Sequence, residues 1–248
     1  MSRRLRRASA TMRRVLKRGA GRRLLIRLTT RPSQRHGLVG PSDLWAMKRR
    51  FQFRFLTAQG LRPEQRLLDI GCGTLRGGIP LIEYLQTGHY AGFEARAEVL
   101  EEGRKELAEA GLEHKRPRLI HASDPAEVQL EEPVDVAWAF AVLIHMSDEV
   151  ADACMALVAR SLTERGEFYA NVNPGERRDG SWGEFPLVTR PLEFYQRLAE
   201  AHGLVMSEVG SLREVGHRTG SAVQDQQVML RFRRTGIPSD GTAPGTHV

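Results

Sequence analysis

Along this chain, short runs of consecutive or alternating apolar residues take turns with stretches whose apolar positions recur every three or four residues. The first kind reads as strand and the second as helix. Runs of the strand kind cover Arg66 to Ile70, Tyr90 to Glu94, Arg118 to His121, Glu167 to Val172, Leu204 to Val209 and Gln226 to Arg233. The longest, Val134 to Met146, is too apolar and β-rich to be anything other than a central buried strand and its exit. Helical spacing fills the intervals: Asp43 to Ala58, stopped near Gly60 and capped by Ser42 or Asp43, then a segment carrying Ile79, Leu81, Ile82 and Leu85. Pro80 is tolerable there because it falls in the first turn. Further helices run from Ala97 to Ala110, from the Ser147 cap to about Leu162, and from Pro191 to Ala201. Residues 173–190 are dense in Asn, Pro, Gly and Asp and read as one long loop at the carboxyl edge of a sheet. This alternation predicts a doubly wound α/β domain with seven strands, mostly parallel with an antiparallel last strand, and helices on both faces.

The first strand runs into Asp69-Ile70-Gly71-Cys72-Gly73-Thr74 and then a helix. Glycines at 71 and 73 let a ligand approach the backbone, and the N–H groups opening the helix face the same place. A dinucleotide fingerprint would need a third glycine where Arg76 stands, and Asp69 would repel a pyrophosphate, so the turn suits a cationic ligand better. Twenty-three residues beyond Gly71, Glu94 closes the second strand, near the roughly 20-residue offset of a ribose-binding acid. The glycine turn with this acid resembles the first two motifs of the class I S-adenosylmethionine-dependent methyltransferases, over roughly residues 40–234. The resemblance implies a Rossmann-like fold and S-adenosylmethionine as cofactor. It implies that Gly71, Cys72 and Gly73 approach the methionine end, that Asp69 organises the turn and meets the cofactor's amino group, and that Glu94 binds the ribose. Asp124, after the third strand, stands where the family often binds adenine, although Pro125 beside it equally favours a turn or helix-cap role. A helix preceding the core commonly covers the cofactor mouth in this family, which makes Trp45, Arg49 and Phe53 candidates to line it.

Composition separates the two ends of the chain. The formal charge is +7, yet residues 1–36 hold 13 of the 37 basic residues and no acid, leaving 24 basic against 30 acidic residues in the remainder. Net charge therefore gives no support to nucleic-acid binding by the catalytic face, while the arm is suited to an anionic membrane surface or another polyanion. Leu5, Ala8, Met12, Val15 and Leu16 form a narrow apolar stripe among its arginines, as in a surface-lying helix, although a transit peptide or a disordered tail has the same composition. The division is thus a basic arm over 1–36, a methyltransferase domain over 37–235 and a disordered tail over 236–248. Cys72 and Cys154 make neither a disulfide framework nor a metal-ligand cluster, so no metal is expected, and they suit a cytoplasmic protein, peripheral at a membrane if the arm engages one.

Methyl transfer is an in-line displacement, so positioning supplies most of the catalysis and a base is needed only where the acceptor carries a proton. His145, at the exit of the fourth strand, is the first choice of base, with His217 as its replacement or a substrate-binding group. Arg76 could pair with the cofactor's carboxylate or simply stand solvated at the helix start, and Tyr195 and Trp182 could shape the acceptor pocket. The fourth strand is followed neither by an Asn/Asp-Pro-Pro-aromatic tetrapeptide nor by a Pro-Cys nucleophile, which disfavours DNA amino-methylation and pyrimidine ring-carbon methylation. The expected acceptor is an oxygen or nitrogen of a small molecule, lipid or glycan. An RNA-directed enzyme using the arm and a non-catalytic S-adenosylmethionine-binding protein are the alternatives.

Overall fold

A computed structural model describes residues 34–183 and 185–236, with Trp182 described by its backbone. The arm stripe and most of the C-terminal tail lie outside the described residues. Helix α1 (Trp45–Gln59) leads into β1 (Leu67–Ile70), α2 (Gly78–Tyr84), β2 (Tyr90–Glu94), α3 (Ala97–Glu109), β3 (Arg118–His121) and β4 (Val134–Ala139). Then follow α4 (Asp148–Ser161), β5 (Leu162–Val172), β6 (Arg178–Trp182), β7 (Phe185–Thr189), α5 (Leu192–Ala201), β8 (Leu204–Ser211), the single-turn α6 (Ala222–Asp225) and β9 (Val228–Arg234).

Seven strands form one sheet in the order β3-β2-β1-β4-β5-β9-β8. β1 to β5 pair in parallel, and β9 runs antiparallel to both β5 and β8. The order reverses between β1 and β4, so their carboxyl ends open a crevice where a doubly wound sheet binds its ligand. Strand periodicity divides the core between two faces. Leu67, Trp138 and Tyr169 pack with α1 to α3, whereas Leu68, Ile70, Ala137, Ala139, Phe168 and Ala170 pack with α4 and α5. On the first face the buried indole N–H of Trp138 donates to Gln52 Oε1 at 3.0 Å, which removes the cost of burying that polar atom beside Phe55.

The stretch read as a loop contains a hairpin. β6 and β7 pair antiparallel from Arg178↔Thr189 to Trp182↔Phe185, and Gly183 enters the two-residue connection at φ +61°. Its turn-type residues Asp179, Gly180 and Ser181 lie within β6 itself, and side-chain anchoring replaces hydrophobic alternation. Buried Arg190 pairs with Asp148 at 2.8 Å and Asp179 at 2.6 Å and so ties the hairpin to the start of α4.

Two boundaries also differ from the sequence reading. α1 is preceded by a 3-10 turn over Ser42–Leu44, and neither Ser42 nor Asp43 caps it through a side chain. At its other end Gly60 is left-handed and Leu61 N–H donates to Leu56 O at 3.0 Å, a Schellman closure. Residues 34–36 belong with the domain: Arg35 reaches Glu102, Glu106 and Glu109 on α3, and His36 stacks on Trp45 at 3.6 Å.

Candidate active site

β1 delivers the chain into Gly71 and Gly73 at φ +67° and +57°, a left-handed backbone that side chains resist. A Cβ at 71 would sit 2.5 Å from Val142 and one at 73 would sit 2.8 Å from Val39, so the turn is wedged between the exit of β4 and the residues preceding α1. Cys72 N–H donates to Phe93 O at 2.9 Å and Gly73 N–H to Glu94 Oε2 at 3.0 Å, which brings the end of β2 against the turn. The other Glu94 oxygen accepts from the Arg96 backbone at 3.1 Å and from its side chain at 3.3 Å.

β4 ends in strain. Ala141 lies at φ +58°, an uncommon conformation for a residue with a Cβ, and its N–H donates to Asn171 Oδ1 at 2.6 Å. Asn171 in turn donates to Gln227 Oε1 at 2.7 Å, so β5 and the residue preceding β9 together hold the β4 exit in place. The next residues turn through Leu143–His145, where His145 Nδ1 lies 2.6 Å from Pro186 O on the hairpin. A carbonyl only accepts, so Nδ1 carries the proton. Burial lowers the His145 pKa, against the bond to Pro186.

These segments enclose a cavity of about 470 Å³, within the roughly 300–1,000 Å³ usual for small-ligand sites. Gly71, Gly73, Arg76 and Glu94 border one part, and Phe140, His145, Asn173, Phe185 and His217 border another. Arg76 is buried beside the turn: its Nη1 donates to Val39 O at 2.7 Å while Nε has no partner among the described residues. Burial lowers its pKa to about 10, so it stays charged at neutral pH.

Residues 68–168 match the methyltransferase domain family. The core of the chain is thus a methyltransferase domain. Among solved structures, magnesium protoporphyrin IX methyltransferase (ChlM) from Synechocystis PCC 6803 with bound SAM is similar at a TM-score of 0.59 and 16% identity, over 92% of this chain and 97% of that one. The CcbJ methyltransferase from Streptomyces caelestis gives 0.58 at 15% identity over 80% and 92%. The glycopeptide N-methyltransferase MtfA complexed with S-adenosyl-L-methionine gives 0.57 at 14% over 73% and 92%. At these identities the likeness is one of fold. No curated protein matches the sequence.

The residues singled out in the sequence fall into two groups in this methyltransferase. Gly71, Gly73, Glu94, His145, Arg76 and His217 all border the cavity, and Arg76 is buried rather than solvated. Asp69 is buried beneath the turn, accepting from Tyr90 Oη at 2.6 Å, and burial raises its pKa to about 7. The Cys72 thiol turns into the core against Gly92, and burial pushes its pKa well up. The Asp124 carboxylate accepts from Ala126 N–H at 2.8 Å as a helix cap, while its neighbours Ser123 and Pro125 border the cavity. Trp45, Arg49 and Phe53 do not line the mouth: Arg49 lies 3.6 Å over Trp45 and bonds Glu106 at 2.7 Å, and Phe53 packs edge-on against Tyr84. Tyr195 is buried in the α4–α5 core.

Sequence reasoning missed Lys48, which does border the cavity from α1, and the apolar walls Val142 and Leu187. Helical spacing carried a signal for Lys48, since it lies three residues from Trp45 and four from Gln52, both buried.

Proposed function

We propose that this methyltransferase transfers the methyl group of S-adenosylmethionine to an oxygen or nitrogen of a small-molecule, lipid or glycan acceptor. The observation that carries the proposal is the continuity of one cavity from the glycine turn and Glu94 to His145 and Asn173. The residues fit the cofactor: a Cβ at Gly71 or Gly73 would collide with Val142 or Val39, so the turn borders the cavity as bare backbone, and the unpartnered Nε of buried Arg76 offers a charged donor to a carboxylate. Bound there, S-adenosylmethionine supplies an electrophilic methyl on a sulfonium sulfur. Gly71 and Gly73 would carry its methionine end, Glu94 would accept from the ribose hydroxyls, and Asp69 would hold the turn from below through Tyr90. Cys72 would contribute backbone alone, and Asp124 would act through the turn it caps. His145, kept as the Nδ1–H tautomer by Pro186, would present Nε2 as the acceptor of the proton leaving an O–H or N–H nucleophile. The hairpin residues Phe185 and Leu187 give that end an apolar wall.

The magnesium protoporphyrin IX and glycopeptide N-methyltransferases named above support an acceptor of the small-molecule or glycan class. The 13 basic residues of the arm support a second element, attachment of the protein to an anionic membrane surface, and they also favour RNA as the alternative acceptor. Incubating the full chain with methyl-labelled S-adenosylmethionine and separate lipid, glycan, small-molecule and RNA fractions tests the reading. Label is expected in one of the first three. Label confined to RNA would establish the alternative, and none in any fraction would favour a silent binder.

A further inference from the structure

Lys48 is 7% exposed and borders the cavity, yet it has neither a hydrogen-bond partner nor an acid within ion-pairing distance among the described residues. Burial and Arg76 lower its pKa to about 8, and Asp43, which opposes them, is exposed and makes no ion pair with it. Glu94 is the sole carboxylate bordering the cavity among the described residues, and it is already engaged by Gly73 and Arg96. Two buried cations, Arg76 and Lys48, therefore face one cavity, and the carboxylate of the cofactor balances one of them.

Close to Lys48 stands His217, 1% exposed, with neither ring nitrogen hydrogen-bonded. Phe51 and Phe140 pack edge-on against the imidazole, and Asp225 Oδ1 lies 3.9 Å from Nδ1. Asp225 is itself held by Thr219 and Gly220. Burial and the Lys48 charge lower the His217 pKa to about 4, so the ring is neutral, and neither nitrogen finds a partner among the described residues. A buried polar group in this state costs free energy that a ligand can recover. The surrounding wall is mostly apolar, with Phe140, Ile144, Leu187 and Val223, and carries Ser221, Gln224 and Gln227 as uncharged polar members.

Resting on the methyl-transfer reading of this cavity, we infer that the acceptor is an acidic molecule with an apolar body, its carboxylate or phosphate paired with Lys48 and hydrogen-bonded by His217. An anion there favours the charged form of both groups, and Asp225 supports the imidazolium. His145, the remaining titratable group facing Lys48, is tied to Pro186 and lies on the side of the transferred proton. Binding of the acid therefore takes up protons, and affinity falls as pH rises through about 8 and Lys48 becomes neutral.

The test is calorimetry on the full chain, first with S-adenosylhomocysteine alone and then with the loaded protein titrated with benzoate, phenyl phosphate and benzamide. At pH 7 at least one acid is expected to bind tenfold or more tighter than benzamide. Its affinity should drop several-fold between pH 7.5 and 9, and the heat should vary with buffer ionisation in the direction of proton uptake. Lys48→Met should lose the preference for the acid while S-adenosylhomocysteine affinity stays within about twofold, and His217→Phe should reduce proton uptake. Whichever acid binds tighter identifies the anionic group. Equal binding of acid and amide, or failure of both acids to bind at millimolar concentration, overturns the inference. So does a Lys48→Met protein that loses S-adenosylhomocysteine and retains benzoate, because Lys48 would then serve the cofactor. Failure of the wild type to bind S-adenosylhomocysteine would refute the cofactor assignment instead.

Discussion

Single side chains set the chemistry of this cavity, and burial sets the state of each. Asp69 has its pKa raised to about 7 chiefly by burial, with Glu94 adding to the rise and Tyr90 and Arg76 opposing it. The folded protein thus holds this proton more tightly than the unfolded chain. The contribution of Asp69 to stability is fully present below about pH 4 and is lost as pH rises through about 7. Asp69→Asn should melt close to the wild type at pH 4 and above it at pH 8, by on the order of 2–4 kcal/mol. Thermal melts of the cofactor-free protein at the two pH values measure this, and a gap that does not change with pH would contradict it. His145 is displaced the other way, so as a base it stays neutral to lower pH than an ordinary imidazole. At saturating acceptor the rate should rise with pH through an inflection below 6.5 and then level, and His145→Ala should bind cofactor normally while turnover falls about 10²–10⁴-fold. Unchanged turnover in that variant would remove His145 from the mechanism. Gly71, Gly73 and Glu94 were legible because their chemistry is local in sequence. Lys48 and the orphaned nitrogens of His217 were not, since what matters is which charges fold around them.

Among the elements, the strand–helix alternation showed the sheet, because buried parallel strands are apolar without interruption while amphipathic helices keep a 3.6-residue period. The β6–β7 hairpin escaped because Arg178, Asp179, Gly180 and Ser181 carry no apolar alternation, and the anchor of the hairpin, Arg190, is a buried charge. Nor does pattern reveal the β4 exit, whose left-handed Ala141 depends on Asn171 from a strand 30 residues away. Asn171→Ala removes the acceptor for Ala141 N–H and should cost about 1–3 kcal/mol in a urea melt. It should weaken S-adenosylmethionine binding as well, because Val142 buttresses Gly71. A destabilised variant with normal cofactor affinity would confine Asn171 to a structural role.

At the scale of the whole molecule, the chain places its positive charge at one end and a methyltransferase domain behind it. The junction is sharper than composition indicates. Composition alone assigns Arg35 and His36 to the basic arm, whereas Arg35 forms ion pairs with three glutamates on α3 and His36 covers Trp45. A protein beginning at residue 37 should be less stable than one beginning at residue 34, by about 1–3 kcal/mol. Superimposable urea melts of the two would return those residues to the arm. Among the described residues no helix is long and apolar enough to cross a membrane. Calorimetry on the full chain decides whether the turn at Gly71 and the acid at Glu94 hold S-adenosylmethionine. The wild type should bind S-adenosylmethionine, Gly71→Arg should abolish binding, and Glu94→Ala should weaken it at least tenfold. Unchanged affinity in both variants, or binding of NADH in place of S-adenosylmethionine, would contradict the account.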